Sequence, residues 1–208
     1  MGAESVVVVD YGMGNLASMT NALQHLGASP LIAADAQTIA GADRLVLPGV
    51  GAFGRCTHEL HERGLIGPLA AFRASGRPIL GVCLGFQVLF ERSFEYGEHT
   101  GLGWIEGRVT RFNEPGLIIP HMGWNQVQVT QSQSHPLFYG VSSGSHVYFV
   151  HSYRPEAVRD EVILAHTDYG GGFPCAVARE NVAGVQFHPE KSGPVGLKIL
   201  KNFLTWRP

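Results

Sequence analysis

The sequence carries little excess charge of either sign: 15 Lys and Arg against 17 Asp and Glu in 208 residues leave a formal net charge of -2. Nothing in that balance favours a phosphate backbone or an anionic lipid surface, so neither nucleic acid nor a membrane is an expected partner. Cysteine is scarce as well. Cys56, Cys83 and Cys175 are too scattered to form a CxxC pair, which argues against a zinc ribbon or redox dithiol and fits a reducing cytoplasm. The opening "MGAESVVVVDYG" has no basic segment, long apolar run or small-residue cleavage site, and Val6 stands where myristoylation of Gly2 wants Ser or Thr, so neither secretion nor acylation is expected. His58, His61, His99, His135 and His166 lack metal-ligand spacing, and no metal is expected. Repeats, linkers and low-complexity tracts are missing too. With 45% hydrophobic residues the chain can bury one good core, and one domain over residues 1–208 is expected.

What is present begins with a strand-loop-helix unit. "SVVVVD" is a β-branched run suited to a strand buried on both faces, and from Asn15 the residues Leu16, Met19, Leu23 and Leu26 recur at helical spacing until Gly27. "PLIAA", "RLVLPG" and "RPILGVC" repeat the strand signal, while "LHERGLIGPLAAFRASG" reads as helical material ended by Gly76. After Glu91 the chain becomes strand-rich: "GWIEGRVTRF", "MGWNQVQVT", "HVYFVHSY", "EVILAHTDY" and a hairpin turning at Glu180 and Asn181. An amphipathic helix from about Pro194 to Trp206 ends the chain. The pattern predicts an α/β fold with a central, mostly parallel sheet and an additional antiparallel layer.

Three motifs carry chemistry. In "GVCLGFQ" two glycines flank Cys83 directly after an apolar strand, the pattern of a nucleophile elbow with Cys in place of Ser. A thiol there sits above the strand ends and at a helix N-terminus, whose dipole favours thiolate, although a lone Cys at a strand end can also be simple packing. "QFHPEKS" places His188 and Glu190 at alternate positions past a strand, so both can face one side, as a base and its orienting acid. "LPGVGAF" is either a turn or a source of free N–H groups for a developing oxyanion, with the amide of Leu84 as a second donor. Cys56 and Cys175 have no such context and read as packing residues.

The three motifs, in this order along essentially the whole chain, resemble those of the class I (triad-type) glutamine amidotransferases. "DYGMGN", "PHMGWN" and "YFVHSY" further resemble the glutaminase subunits of imidazole glycerol phosphate synthases. The resemblance implies a three-layer, flavodoxin-like fold and hydrolysis of L-glutamine without a cofactor, with ammonia passed to a cyclase subunit in a heterodimer. It implies Cys83 as nucleophile, His188 as base and acid, and Glu190 as its orienting group. Gly51 and Leu84 would supply oxyanion amides, and Gly49, Gln87, Ser152 and Tyr153 would hold glutamine. Asn15, His121, Met122, Trp124 and Lys191 would face the cyclase. Phe86 departs from the family's usual Met and reads as a packing change beneath the elbow. A glutaminase feeding another synthase, an inactive scaffold subunit and a cysteine hydrolase of peptides or esters are the competing readings.

Overall fold

The computed structural model describes residues 5–130 and 135–208; Gly2 and the first residues of the chain lie outside them. In chain order β1 (Val6–Val9), α1 (Leu16–His25), β2 (Leu31–Ala33), α2 (Ala36–Gly41) and β3 (Arg44–Leu47) lead into α3 (Phe53–Glu62), α4 (Ile66–Ala74), β4 (Ile79–Val82) and the single turn α5 (Leu84–Gln87). Strands β5 (Phe90–Ser93), β6 (His99–Thr100), β7 (Ile105–Arg111), β8 (His121–Val129), β9 (Ser145–His151), β10 (Tyr153–Glu156), β11 (Ile163–Asp168), β12 (Gly172–Arg179) and β13 (Val182–Val185) follow, and α6 (Gly193–Thr205) closes the chain.

Nine strands form one sheet in the order β2-β1-β3-β4-β13-β12-β11-β8-β9. The first five run parallel, and from β12 onward each strand is antiparallel to its neighbour. A second sheet of four strands, β10-β7-β5-β6, is antiparallel at both ends, but its central pair, β5 and β7, runs parallel where an antiparallel layer was expected. The loop that carries β6 and returns to β7 makes this pairing possible.

Strand alternation assigns the core. Val6 and Val8 of β1 join Val46 and Leu80 in the layer with α1 and α6, whereas Val7, Val9, Leu45 and Ile79 face α3 and α4. The helical material ending at Gly76 is two helices rather than one. Gly64 at φ +65 breaks it, a conformation other residues adopt at a penalty, and the apolar periodicity continues on the far side. Asn15 caps α1 through Oδ1, which accepts from Ser18 N–H at 3.3 Å, and Gly27 at φ +84 ends it. Among the described residues no helix is long and apolar enough to cross a membrane.

Candidate active site

β3, β4 and β13 are adjacent and parallel, so the segments that follow them emerge at the same edge of the sheet. After β3 comes 48–51 ("PGVG"), after β4 Cys83, and shortly after β13 His188. Three motifs far apart in sequence meet because their strands are neighbours.

Cys83 has φ 55 and ψ -109, outside the regions open to a residue with a Cβ. Two close approaches hold it there. A Cβ on Gly81 would lie 2.6 Å from the carbonyl oxygen of Gly85, and one on Gly85 would collide with the carbonyl of Leu47. Both glycines flanking the thiol are therefore required by contact. α5 contributes one turn only, Leu84–Gln87, so its dipole is small. Phe86 lies in the core, edge-on to Phe90 at 5.2 Å, over the space left by Gly184.

His188 and Glu190 are buried, and Nδ1 lies 2.8 Å from Oε1 of Glu190. They meet across a 3₁₀ turn, Pro189–Lys191, rather than by the strand alternation expected. The backbone of His188 is clamped: its N–H donates to Tyr148 O at 2.9 Å, and its carbonyl accepts from Ser192 Oγ at 2.6 Å. Burial disfavours the charged imidazole, but the interactions with Cys83 and Glu190 outweigh it and raise the pKa to about 10. Among the described residues Nε2 has no hydrogen-bond partner and is the ring nitrogen left for chemistry.

Cys83, His188, Leu84, Gly51, Gln87, Ser152 and Tyr153 line one cleft of about 430 Å³. Gly49 does not line it but supports it from below. A Cβ at Gly49 would collide with the Tyr11 hydroxyl and lie 2.8 Å from Gly85 N. The Leu84 N–H donates to the carbonyl of Gly49 at 3.3 Å, so the expected oxyanion amide is occupied by the chain's own Gly49–Val50 peptide. Gly51, the other expected oxyanion donor, lies one peptide later; at φ +101 it lines the cleft without making this contact.

Two residues of the site went unnoticed in the sequence. Glu95 brings a carboxylate into the cleft, with Oε2 accepting from Phe53 N–H at 2.5 Å, and burial raises its pKa. Its position in the β5–β6 connection carries no periodic signal. Gln186, wholly buried, points Nε2 at the Cys83 sulfur at 4.0 Å. It lies two residues before His188 and is itself the first residue of "QFHPEKS".

The residues expected to face a partner divide. Met122 and Trp124 are 61% and 57% exposed, Trp124 with its ring edge-on to Tyr148, and Lys191 is exposed. Asn15 is half-buried at the head of α1. His121 turns inward and is buried, because alternation along β8 sends it to the face opposite Met122 and Trp124. Cys56 and Cys175 are fully buried, and burial pushes both thiols up to about 12. Among the described residues no group of three or more His, Cys, Asp or Glu is arranged to hold a metal ion.

A family model described as glutamine amidotransferase class-I matches residues 7–206. The imidazole glycerol phosphate synthase subunit HisH of Syntrophotalea carbinolica is 49% identical over 204 residues, covering 95% of this chain and 98% of that protein. The subunit of the same name from Methanosarcina acetivorans is 49% identical over 201 residues, with 96% and 97% covered. Among solved structures, that of PurLQS from Thermotoga maritima shares the fold at a TM-score of 0.78 and 20% identity, with 98% of each chain covered. A crystal structure of a glutamine amidotransferase aligns at a TM-score of 0.74 and 22% identity, covering 98% of this chain and 97% of that one. The chain belongs to the class I glutamine amidotransferase family, on the branch of the HisH subunits of imidazole glycerol phosphate synthase.

Proposed function

We propose that the chain is the glutaminase subunit of an imidazole glycerol phosphate synthase, a single cytoplasmic domain that hydrolyses L-glutamine and hands ammonia to a cyclase subunit in histidine biosynthesis. The observation that carries the reading is the convergence of a strained thiol and a buried His–Glu pair in one cleft, in a chain whose relatives are HisH subunits over nearly their whole length. In the reaction the Cys83 sulfur attacks the carboxamide carbon of glutamine, and imidazolium at His188 gives its proton to the nitrogen as the C–N bond breaks and ammonia leaves. The thioester that remains is opened by water, which loses its proton to His188 and releases glutamate with the thiol restored. Glu190 holds the ring and favours its charged form. No cofactor enters these steps.

Substrate selection follows from the polar groups at the cleft wall. Gln87 Nε2 spends both hydrogens on the protein, one on Tyr153 O at 3.1 Å and one on Gln186 Oε1 at 3.0 Å, which leaves its own carbonyl for a ligand donor. Glu95 supplies the negative charge that an α-ammonium group requires. The Gly49 carbonyl against Leu84 N–H makes the resting state idle. Rotating the Gly49–Val50 peptide would remove the acceptor from the hole and turn the Val50 N–H toward it, a change suited to control by the cyclase.

The test is glutamate release by the chain alone and with its cognate cyclase subunit. Hydrolysis should be slow alone, rise on complex formation, and vanish in Cys83→Ala. A Cys83→Ala complex retaining more than about 1% of the wild-type rate would refute the assignment, since loss of a covalent nucleophile removes many powers of ten.

A further inference from the structure

A chain of hydrogen bonds, part-buried where it starts at Asn125 on β8 and buried at its two histidines, runs to the glutamine cleft, and its direction is determined at both ends by backbone groups. At the β8 end, Asn125 Oδ1 accepts from Gln126 N–H at 2.7 Å and Nδ2 donates to the Asp168 carbonyl at 2.8 Å. Partners of opposite kind fix the amide's orientation. The remaining hydrogen of Nδ2 therefore faces His121 Nε2, 3.2 Å away, and that nitrogen must accept. His121 then carries its proton on Nδ1 and donates to His151 Nε2 at 2.9 Å. His151 in turn carries its proton on Nδ1 and donates to the Tyr153 carbonyl at 2.8 Å. Starting instead from that carbonyl, which can only accept, the same two tautomers result.

We propose that Asn125, His121 and His151 are positioning residues for glutamine hydrolysis, a tautomer-locked relay that holds the 151–153 turn in the shape that receives the amino-acid end of glutamine. The proposal rests on the glutaminase reading above and deepens it. The Tyr153 carbonyl accepts from both His151 Nδ1 and Gln87 Nε2, so its two lone pairs are used and the turn cannot rotate without breaking a bond. The His121 ring cannot slip either: it lies between Phe149 and Tyr169, with centroids 4.7 Å and 4.0 Å away and interplanar angles of 23° and 20°. Each unprotonated ring nitrogen already faces an N–H, which leaves no site for a further proton. In keeping with this, burial lowers the pKa of His121 to about 4 and that of His151 to about 3, so the relay orients without exchanging protons at neutral pH. Because Asn125 shares β8 with the exposed Met122 and Trp124, the relay also joins the turn to the strand proposed to meet the cyclase.

Asn125→Asp breaks the lock at its edge with no change of shape. A carboxylate only accepts, so it opposes the lone pair on His121 Nε2 and the Asp168 carbonyl. Asn125→Ala removes the lock without repulsion and serves where the first variant folds poorly. In complex with the cyclase, both should raise the KM for glutamine roughly tenfold to hundredfold, the worth of one buried hydrogen bond left unmade, with kcat changed far less. Nitrogen-15 NMR of the imidazoles should show Nδ1–H and bare Nε2 at both histidines in the wild type, and a lost pattern at His121 in Asn125→Asp. A proton on Nε2 of either wild-type ring, or a KM within about twofold of wild type in both variants, overturns the relay. A wild-type complex that releases no glutamate refutes the glutaminase reading instead, whatever the tautomers.

Discussion

Replacing Cys83 by alanine and by glycine separates the chemistry of the elbow from its strain. Both variants lose the thiol and should hydrolyse no glutamine. They differ only in the Cβ, which at φ 55 and ψ -109 is held in a conformation that disfavours any L side chain. Such a residue costs about 1–3 kcal/mol, and a ψ so far from the left-handed helical region belongs near the upper end. Glycine relieves this but gives back about 0.4–1 kcal/mol in unfolded-chain freedom and about 0.8 kcal/mol for the buried methyl it lacks. At a strain of about 3 kcal/mol, glycine is favoured by roughly 1–2 kcal/mol, the reverse of the usual order at a buried position. For a chain of this size each kcal/mol moves the melting temperature by about 2–4 °C, so Cys83→Gly should melt several degrees above Cys83→Ala. Thermal and urea unfolding of the two purified variants measure this directly. If the glycine variant melts at or below the alanine variant, the elbow is not strained and the glycines on either side need another explanation.

Three further outcomes are expected. Because the His188 pKa is raised to about 10 in the folded chain from an ordinary 6.5, its contribution to stability is complete below pH 6.5 and disappears as pH rises toward 10. Glu190→Gln removes part of that contribution, so urea unfolding at pH 6.5, 8 and 10 should show its deficit against wild type narrowing with pH, and a constant deficit would contradict the ion pair. Glu95→Gln should raise the KM for glutamine about tenfold to a hundredfold with little effect on kcat, as loss of a charge-assisted bond does; an unchanged KM in steady-state assays of the complex would remove Glu95 from the substrate site. With Gly49 O on the Leu84 amide, the isolated chain lacks one oxyanion donor and should run about a hundredfold to a thousandfold slower than the complex. Equal rates for the chain and the complex would show that this hydrogen bond does not limit turnover.

The parallel half of the fold was legible because β1, β3, β4 and β13 are short, buried runs rich in valine and leucine, each followed by a motif, while β2 at the edge leaves Leu31 and Ile32 exposed. That the three motifs meet follows from strand adjacency, but adjacency itself was not legible. β13 enters the sheet beside β4, some hundred positions earlier, and no local pattern encodes a pairing of that range. The break at Gly64 escaped for the opposite reason: the apolar period is local and continues across it. Glu95, one carboxylate in a connecting loop, had no signature, and Gln186, although it opens "QFHPEKS", looks like an ordinary core amide at a strand end until the cleft is seen. The Gly49 contact is likewise a matter of backbone orientation, which glycines permit in either sense.

His121 was legible and was misread. On a strand, positions an odd number apart face opposite sides, so His121 and Trp124 could not both face a partner. "PHMGWN" is better understood as two interleaved sets. Met122 and Trp124 point outward, and His121 and Asn125 point toward the aromatic cluster and the cleft. The separation between the two sets is one side-chain step, so a shift of β8 large enough to reseat Trp124 against a partner must also displace the Asn125 amide from Asp168 or from His121. With hydrogen bonds of 2.8 Å and 3.2 Å holding that amide, there is little slack to absorb the movement. The same strand that offers the exposed aromatic surface thus has its opposite face joined through His121 and His151 to the carbonyl of Tyr153, so a partner seated on Met122 and Trp124 would press on the cleft with no intervening loop.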